Sequence, residues 1–423
     1  MVNTQYENLK NVATARQSIN SLNDAGKSAT NSEKSKGVYM KKSLASILAA
    51  ALVLSAMTGC SNGTANTDES SLSIPDESSF VDSSKDADLS ASSDSSWIDF
   101  EYGTTLLKYY GTDEKVVIPA EIKGKKVVGI DDNAFSYSNL ITEVTIPEGV
   151  TRIGENAFQR CNKLNTVNMP ESLKTIGNNA FFGCGLLNHV IIPESVSDIG
   201  KDAFNKCESL ESIKIPESVG EIKRGTFALC KNLSKVELPK NVRIGDSAFD
   251  GCSSLNEITG EFVSLGEGAF AGCSSLKGIV IPGFINKIAR NVFYGCSSLE
   301  NVEISDNVDE IGAYAFAKCS SLEEIVLPDK LSVIEYSAFS GCASLKSIVI
   351  PDGVRKIDND AFCGCASLEN VVIPDSLTEI GTDIFCGCEN MQATYRGKTY
   401  SFAERSDLYK AIDNNYNDVP AHR

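Results

Sequence analysis

Residues 153–175 read IGENAFQRCNKLNTVNMPESLKT, and the same pattern returns along most of the chain. Its Ala-Phe dipeptide, or a near variant, recurs with phenylalanine at Phe135, Phe158, Phe181, Phe204, Phe227, Phe249, Phe270, Phe293, Phe316, Phe339, Phe362 and Phe385. The spacing is 23 residues except for one step of 22 and one of 21, between Phe227 and Phe270. A fixed period of this length marks a repeat architecture, and it must be read before any single element. Counting from each phenylalanine after Phe135, cysteine stands three residues on and leucine usually six on (Leu164, Leu187, Leu210, Leu233). A β-branched residue follows at nine (Val167, Val190, Ile213, Val236), an apolar residue at eleven, and proline usually at twelve (Pro170, Pro193, Pro216, Pro239).

Leu-x-x-Val-x-Ile alternates with the period of a half-buried strand. The proline behind it lacks a ladder donor and ends the strand. The next Val-x-x-Ile-Gly reads as a second short extended piece on the opposite side. Asn-Ala-Phe-x-x-Cys is too short for a full helix and predicts a single 3₁₀-type turn. One such unit cannot hide its apolar positions alone, so units must stack in register and bury them as continuous ladders. At ~4.8 Å per parallel strand, twelve units make a rod on the order of 60 Å long. Both ends then need covers. Residues 97–130 are expected to hold an N-terminal cap with a hairpin over Trp97–Gly111, residues 131–390 the array, and residues 391–423 a C-terminal cap and tail.

The Ala-Phe-x-x-Cys-x-x-Leu-x-x-Val-x-Ile-Pro order and the 23-residue period resemble the bacterial leucine-rich repeats typified by BspA, over residues 112–390. The resemblance implies an α/β repeat solenoid, right-handed and curved, with a parallel β-sheet on its concave face and short strands and 3₁₀ turns elsewhere. It also implies a non-enzymatic surface protein that attaches to host matrix proteins or other cells. Gly260 and Glu261 replace the apolar-Pro pair, and Ser305 replaces a proline, which puts uniform curvature near residues 240–265 in doubt.

Upstream, residues 40–59 combine Lys41-Lys42, an apolar run from Leu44 to Met57 and small residues before Cys60. These are the parts of a secretory signal peptide, and the run is too short for a stable membrane span. Cys60 directly after Met57-Thr58-Gly59 resembles a bacterial lipobox, implying lipidation at Cys60 and anchoring on the outer face of the cell membrane. Residues 1–39 read as a disordered extension or as translation assigned from too early a start. Residues 60–96 are serine-rich and acidic and read as a disordered tether. The net charge of −17 becomes −21 once residues 1–59 are removed. A surface this acidic repels phosphate backbones, so nucleic acid is excluded as a partner.

Eleven of the 14 cysteines, Cys161 to Cys388, share one offset in consecutive units. Stacked equivalents point in parallel at about the ~4.8 Å coil spacing rather than the ~3.8 Å between disulfide Cβ atoms. They read as small buried thiols filling a tight turn. Cys363 and Cys386 are extra and occupy a variable, exposed offset. They are read as incidental, with a disulfide between neighbours and a metal site as the alternatives; no metal or cofactor is expected.

Between the buried strand positions, offsets eight and ten face solvent. Val326, Val349 and Val372 form an apolar row there, bordered by Glu303, Glu324, Ser347 and Asn370. Such a row marks a candidate protein-binding site, although valine also simply suits strands. The expected partner is an extracellular protein bound by a monomer. The competing reading, a glycan- or nutrient-binding lipoprotein, would favour aromatics at these offsets, and they hold none. Catalysis is disfavoured because His189 and His422 are the only histidines and neither has a partner at catalytic or metal spacing.

Overall fold

The structure is a computed structural model that describes residues 97–98, 105–106 and 108–413. The expectations for residues 1–39, 40–59 and 60–96, including Cys60, lie outside the described residues, as does His422.

The chain winds into a right-handed curved solenoid whose coils each contribute two short strands. In the first row Glu143–Thr145, Thr166–Asn168 and His189–Val190 pair in parallel with a fixed register: Val144, Val167 and Val190 lie side by side. In the second row Ile130, Ile153, Ile176 and Ile199 do the same. Register is set by burial, since a one-residue slip would turn each of these apolar side chains to water. Within the first-row strands odd offsets point inward, so Val144 and Val167 are buried while Asn168 and His189 face out; Leu164 and Ile176 complete the buried set.

The Ala-Phe turn is built from i→i+3 bonds, for example from the Cys161 N–H to the Phe158 carbonyl at 3.2 Å. It does not run on as a helix, because the residues two before and two after each of the twelve phenylalanines sit at positive φ. That conformation favours Asn, Asp and Gly and accounts for their frequency there. Each turn is also tied to the next coil, with the Phe158 N–H donating to the Ala180 carbonyl at 2.7 Å. All twelve phenylalanine rings are fully buried. They form one stack with centroids from 4.8 Å (Phe135–Phe158) to 6.0 Å (Phe270–Phe293) apart. Tyr109 covers the stack at one end, 5.2 Å from Phe135, and Tyr409 at the other, 6.5 Å from Phe385.

The shortened coils keep this stack intact. Phe227, Phe249 and Phe270 remain 5.6 and 5.5 Å apart. The missing residues are absorbed in the second row, where Val242–Ile244 and Phe262–Leu265 pair with an irregularity at Val242/Arg243. Gly260 makes the short path possible: its φ is +97°, and an added Cβ would lie 2.1 Å from the Leu238 carbonyl oxygen. The first row is less even. It breaks into separate sheets, and the coil carrying Glu324 and Val326 contributes no strand to it.

The solenoid ladder starts before the first Ala-Phe turn. Thr105–Leu106 pairs in parallel with Gly129–Ile130, and Lys115–Val117 with Glu143–Thr145. Trp97–Ile98 pairs antiparallel with Lys108–Tyr109. At the far end Gln392–Tyr395 continues the first row and folds back antiparallel on Lys398–Ser401. Arg396 and Gly397, both at positive φ, make the two-residue turn. The helix Arg405–Ile412 then presses Leu408 and Tyr409 onto the core.

Candidate functional site

The outward strand positions form a surface whose two halves differ. In the N-terminal half, charges are answered by neighbours. Lys115 meets Glu143 at 3.0 Å, Lys214 meets Glu194, and Lys235 reaches both Glu257 at 3.1 Å and Glu237 at 3.2 Å. The Glu194 carboxylate holds the Lys214 ammonium above its ordinary range, and Lys214 holds Glu194 below its own. Glu257 and Glu237 together raise Lys235.

The C-terminal half gathers apolar and acidic groups, whereas the exposed apolar strand-face residues of the N-terminal half, Val117 at 70% and Ile191 at 68%, are separated by Thr145 and Asn168. Val280 is 58% exposed, Val326 52% and Val349 40%, while Val372, Ser347 and Asn370 are half-buried and Glu303 and Glu324 exposed. Parallel pairing sets Ser347 beside Asn370 and Val349 beside Val372. Glu303 instead pairs with Val280 in a separate two-stranded sheet. The structure therefore brings four of the seven candidate residues into one sheet and places the other three on adjoining coils. Among the described residues neither Glu303 nor Glu324 forms an ion pair. The residues directly after the prolines, Asp329, Asp352 and Asp375, line the edge as an exposed acidic column, met among the described residues only at its end by Arg396, 3.9 Å from Asp375.

Sequence reasoning missed Phe284, the most exposed large apolar residue of the described chain at 76%. A signal was present. Its slot is serine in four other coils, and Ser172, Ser195, Ser218 and Ser376 each donate to a carbonyl of the preceding coil at 2.6–2.8 Å. A phenyl ring has no such bond to make and turns to solvent beside the Val280 strand.

The eleven repeated cysteines are buried and free, but they do more than fill space. Each thiol donates to the carbonyl of a phenylalanine in the preceding coil, from 3.0 Å (Cys184 to Phe158) to 3.3 Å (Cys365 to Phe339). That carbonyl would otherwise have only the N–H of its own turn. Burial pushes the Cys230, Cys296 and Cys342 thiols up to about 12, so they stay protonated and are neither nucleophiles nor metal ligands. Cys363 and Cys386 differ from the incidental reading: they are bonded to each other. Their Cα atoms lie 4.5 Å apart, inside the range a disulfide spans, so coil spacing does not forbid a bond at this surface offset.

Little here resembles a catalytic centre. His189 is exposed on its strand. The pocket of about 390 Å³ is a notch opened by Gly183 and Gly185 beside exposed Leu186 and the Glu208–Lys231 pair. Among the described residues no helix is long and apolar enough to cross a membrane.

Comparison with known proteins fixes the family. The model of the BspA type leucine-rich repeat region matches residues 128–256 and 263–392 in six copies, well over half the chain. The chain belongs to the BspA-type leucine-rich-repeat family. Among solved BspA-like and other leucine-rich-repeat structures it is similar to a leucine-rich cell surface protein of Faecalibacterium prausnitzii, at 28% identity. That match covers 78% of this chain and all of the other, with a TM-score of 0.49. A T. pallidum leucine-rich-repeat protein is 36% identical over 41% of this chain and 82% of its own length, with a TM-score of 0.40. The pneumococcal vaccine antigen PcpA is 20% identical over 76% of this chain and 92% of its own, with a TM-score of 0.46. No curated protein matches the chain.

Proposed function

We propose that this chain is a non-enzymatic cell-surface protein that binds an extracellular protein, of host matrix or of another cell, on the C-terminal half of its strand face. The observation that carries this is the row of exposed Val280, Val326 and Val349 among acidic side chains that no strand-face lysine or arginine answers. Apolar groups ringed by polar ones are what protein interfaces use, and the rigid stack beneath holds them without further ordering cost. The outward strand positions hold no aromatic platform, which favours a protein over a glycan as ligand. Anchoring is proposed through a lipid on Cys60, with residues 60–96 as the tether that carries the solenoid clear of the membrane.

The test is binding of the full chain to a defined panel of matrix proteins, mucins and surface polysaccharides, repeated with V326K/V349K/V372K. Loss of binding with unchanged circular dichroism supports the site; unchanged binding removes it. Mass spectrometry of the chain recovered from its own cells tests the anchor, which predicts a diacylglyceryl modification at Cys60.

A further inference from the structure

The surface at Cys363, Cys386 and Asp360 lies on the turn ridge, apart from the strand face, and no role described above uses it. Cys363 and Cys386 follow Phe362 and Phe385 by one residue in adjacent coils. That offset is filled by Gln159, Phe182, Asn205 and Tyr294 elsewhere, so the fold does not require cysteine there. The two sulfurs and an Asp360 carboxylate oxygen all lie within 4.8 Å of one another, and all three residues are half-buried. The turn itself creates this meeting. Asp360 sits at φ 57°, and the Cys363 N–H donates to its carbonyl at 2.9 Å, which folds the side chain two before phenylalanine towards the one after it. The coil of Phe204 shows the same approach with other residues, the Asn205 amide donating to the Asp202 carboxylate at 2.8 Å.

We propose that this trio is a redox-gated site for a soft divalent cation such as zinc. With the disulfide formed, the sulfurs are spent on each other and the site is closed. A dithiol reductant donates two electrons and two protons, is itself oxidised to a disulfide, and leaves two thiols. A divalent cation then displaces both thiol protons and forms two metal–sulfur bonds and one to an Asp360 oxygen, with water as the fourth ligand. Metal–sulfur bonds of ~2.3 Å at a tetrahedral angle need sulfurs ~3.7–3.8 Å apart. Side chains on coils whose Cα atoms are 4.5 Å apart meet that need by a change of rotamer, without sliding the coils. The coils are pinned on either side, the Gly341 N–H to the Cys363 carbonyl at 2.7 Å and the Gly364 N–H to that of Cys386 at 2.6 Å. The ladder cysteines do not compete, because their thiols are buried and engaged with phenylalanine carbonyls.

The test is a cobalt(II) titration of the full chain, read by thiolate-to-cobalt charge-transfer absorption and by metal analysis after gel filtration. It is run on the oxidised chain and on the chain treated with a non-chelating phosphine. The expected result is one cobalt per reduced chain and none per oxidised chain, with zinc displacing the signal. D360N, which keeps both thiols, is expected to weaken binding at least about tenfold, and C363S/C386S to abolish it. Equal uptake by the oxidised chain, no absorption in the folded reduced chain, or full uptake by C363S/C386S would each overturn the proposal. So would loss of the fold on reduction, followed by circular dichroism in the same samples.

Discussion

The two halves of the strand face share one interior and differ only outside. From Glu143 to Glu257 the outward positions are mostly polar or charged, with lysines set against glutamates of the same or a neighbouring coil and Ile191, 68% exposed, standing alone among them. From Val280 to Val372 they carry valine, glutamate and small polar residues, and no lysine or arginine. Beneath both runs the same phenylalanine stack, the same cysteine donors and the same parallel register. The difference teaches where constraint ends in a repeat fold: inward offsets are dictated by stacking, and outward offsets are free to be spent on a partner. One half sets its lysines against glutamates around the separated Val117 and Ile191, whereas the other gathers valines and glutamates with no strand-face lysine beside them.

The comparison breaks first if the interior is not shared. Phe249→Ala, at the junction of the halves, is expected to cost about 3–5 kcal/mol, the range for truncating a buried phenyl ring. Urea unfolding followed by circular dichroism checks it; a loss below about 1 kcal/mol would mean that the halves do not lean on each other. The second test is of the surface. V326K/V349K/V372K is expected to cost about 2 kcal/mol or more in partner affinity, as central interface positions do. The matched N-terminal triple T166K/N168K/S212K is expected to leave affinity within about 0.5 kcal/mol. Equal losses in equilibrium binding would dissolve the distinction.

A third test asks whether the cysteine ladder is equal in both halves. Cys207→Val and Cys342→Val each remove a thiol donor to a buried carbonyl and are expected to destabilise by about 1–2 kcal/mol, while the serine variants retain a donor. Packing alone would instead make valine the better replacement, which thermal unfolding of the four variants decides. Cutting an ion pair of the N-terminal half by Lys235→Ala is expected to change stability by less than about 1 kcal/mol, and less still in high salt, because the pair is exposed.

The smallest effect lies on the second strand row. Glu310 and Glu335 lie together beside Lys287, and their mutual interaction holds Glu310 below and Glu335 above the ordinary carboxylate range. Glu310 therefore contributes stability that is lost as pH falls through its lowered value, and Glu335 contributes stability that is lost as pH rises through its raised one. E335Q keeps a hydrogen-bond donor towards Glu310 without that second loss. It should flatten the decline in melting temperature just above the carboxylate range; an unchanged slope would show that the pair does not share a proton.

What the sequence disclosed follows the same division. The strands, the proline stops and the buried ladder at Ile153, Ile176 and Ile199 were legible because burial enforces a period. The paired left-handed positions around each phenylalanine were visible only as a surplus of Asn, Asp and Gly, since Tyr137, Leu229 and Tyr314 occupy the same conformation against their preference. The thiol donors were invisible, because composition cannot distinguish a cysteine that packs from one that bonds a carbonyl of the preceding coil. The Cys363–Cys386 bond depends on side chains at a variable outward offset that stacking does not dictate. Of the strand-face residues, Val349 and Val372 were legible from strand alternation, whereas the exposure of Phe284 required seeing which serine bond its slot had lost.

Hydrogen exchange resolved to single amides tests most directly whether the coils form one uninterrupted stack. The phenylalanine amides from Phe135 to Phe362 each donate to the following coil, so one uninterrupted stack gives continuous protection at all of them, including Phe249 and Phe270 in the shortened coils. Fast exchange at Phe249 and Phe270 between two protected blocks would contradict it, and would leave two separate bodies where a single solenoid is described.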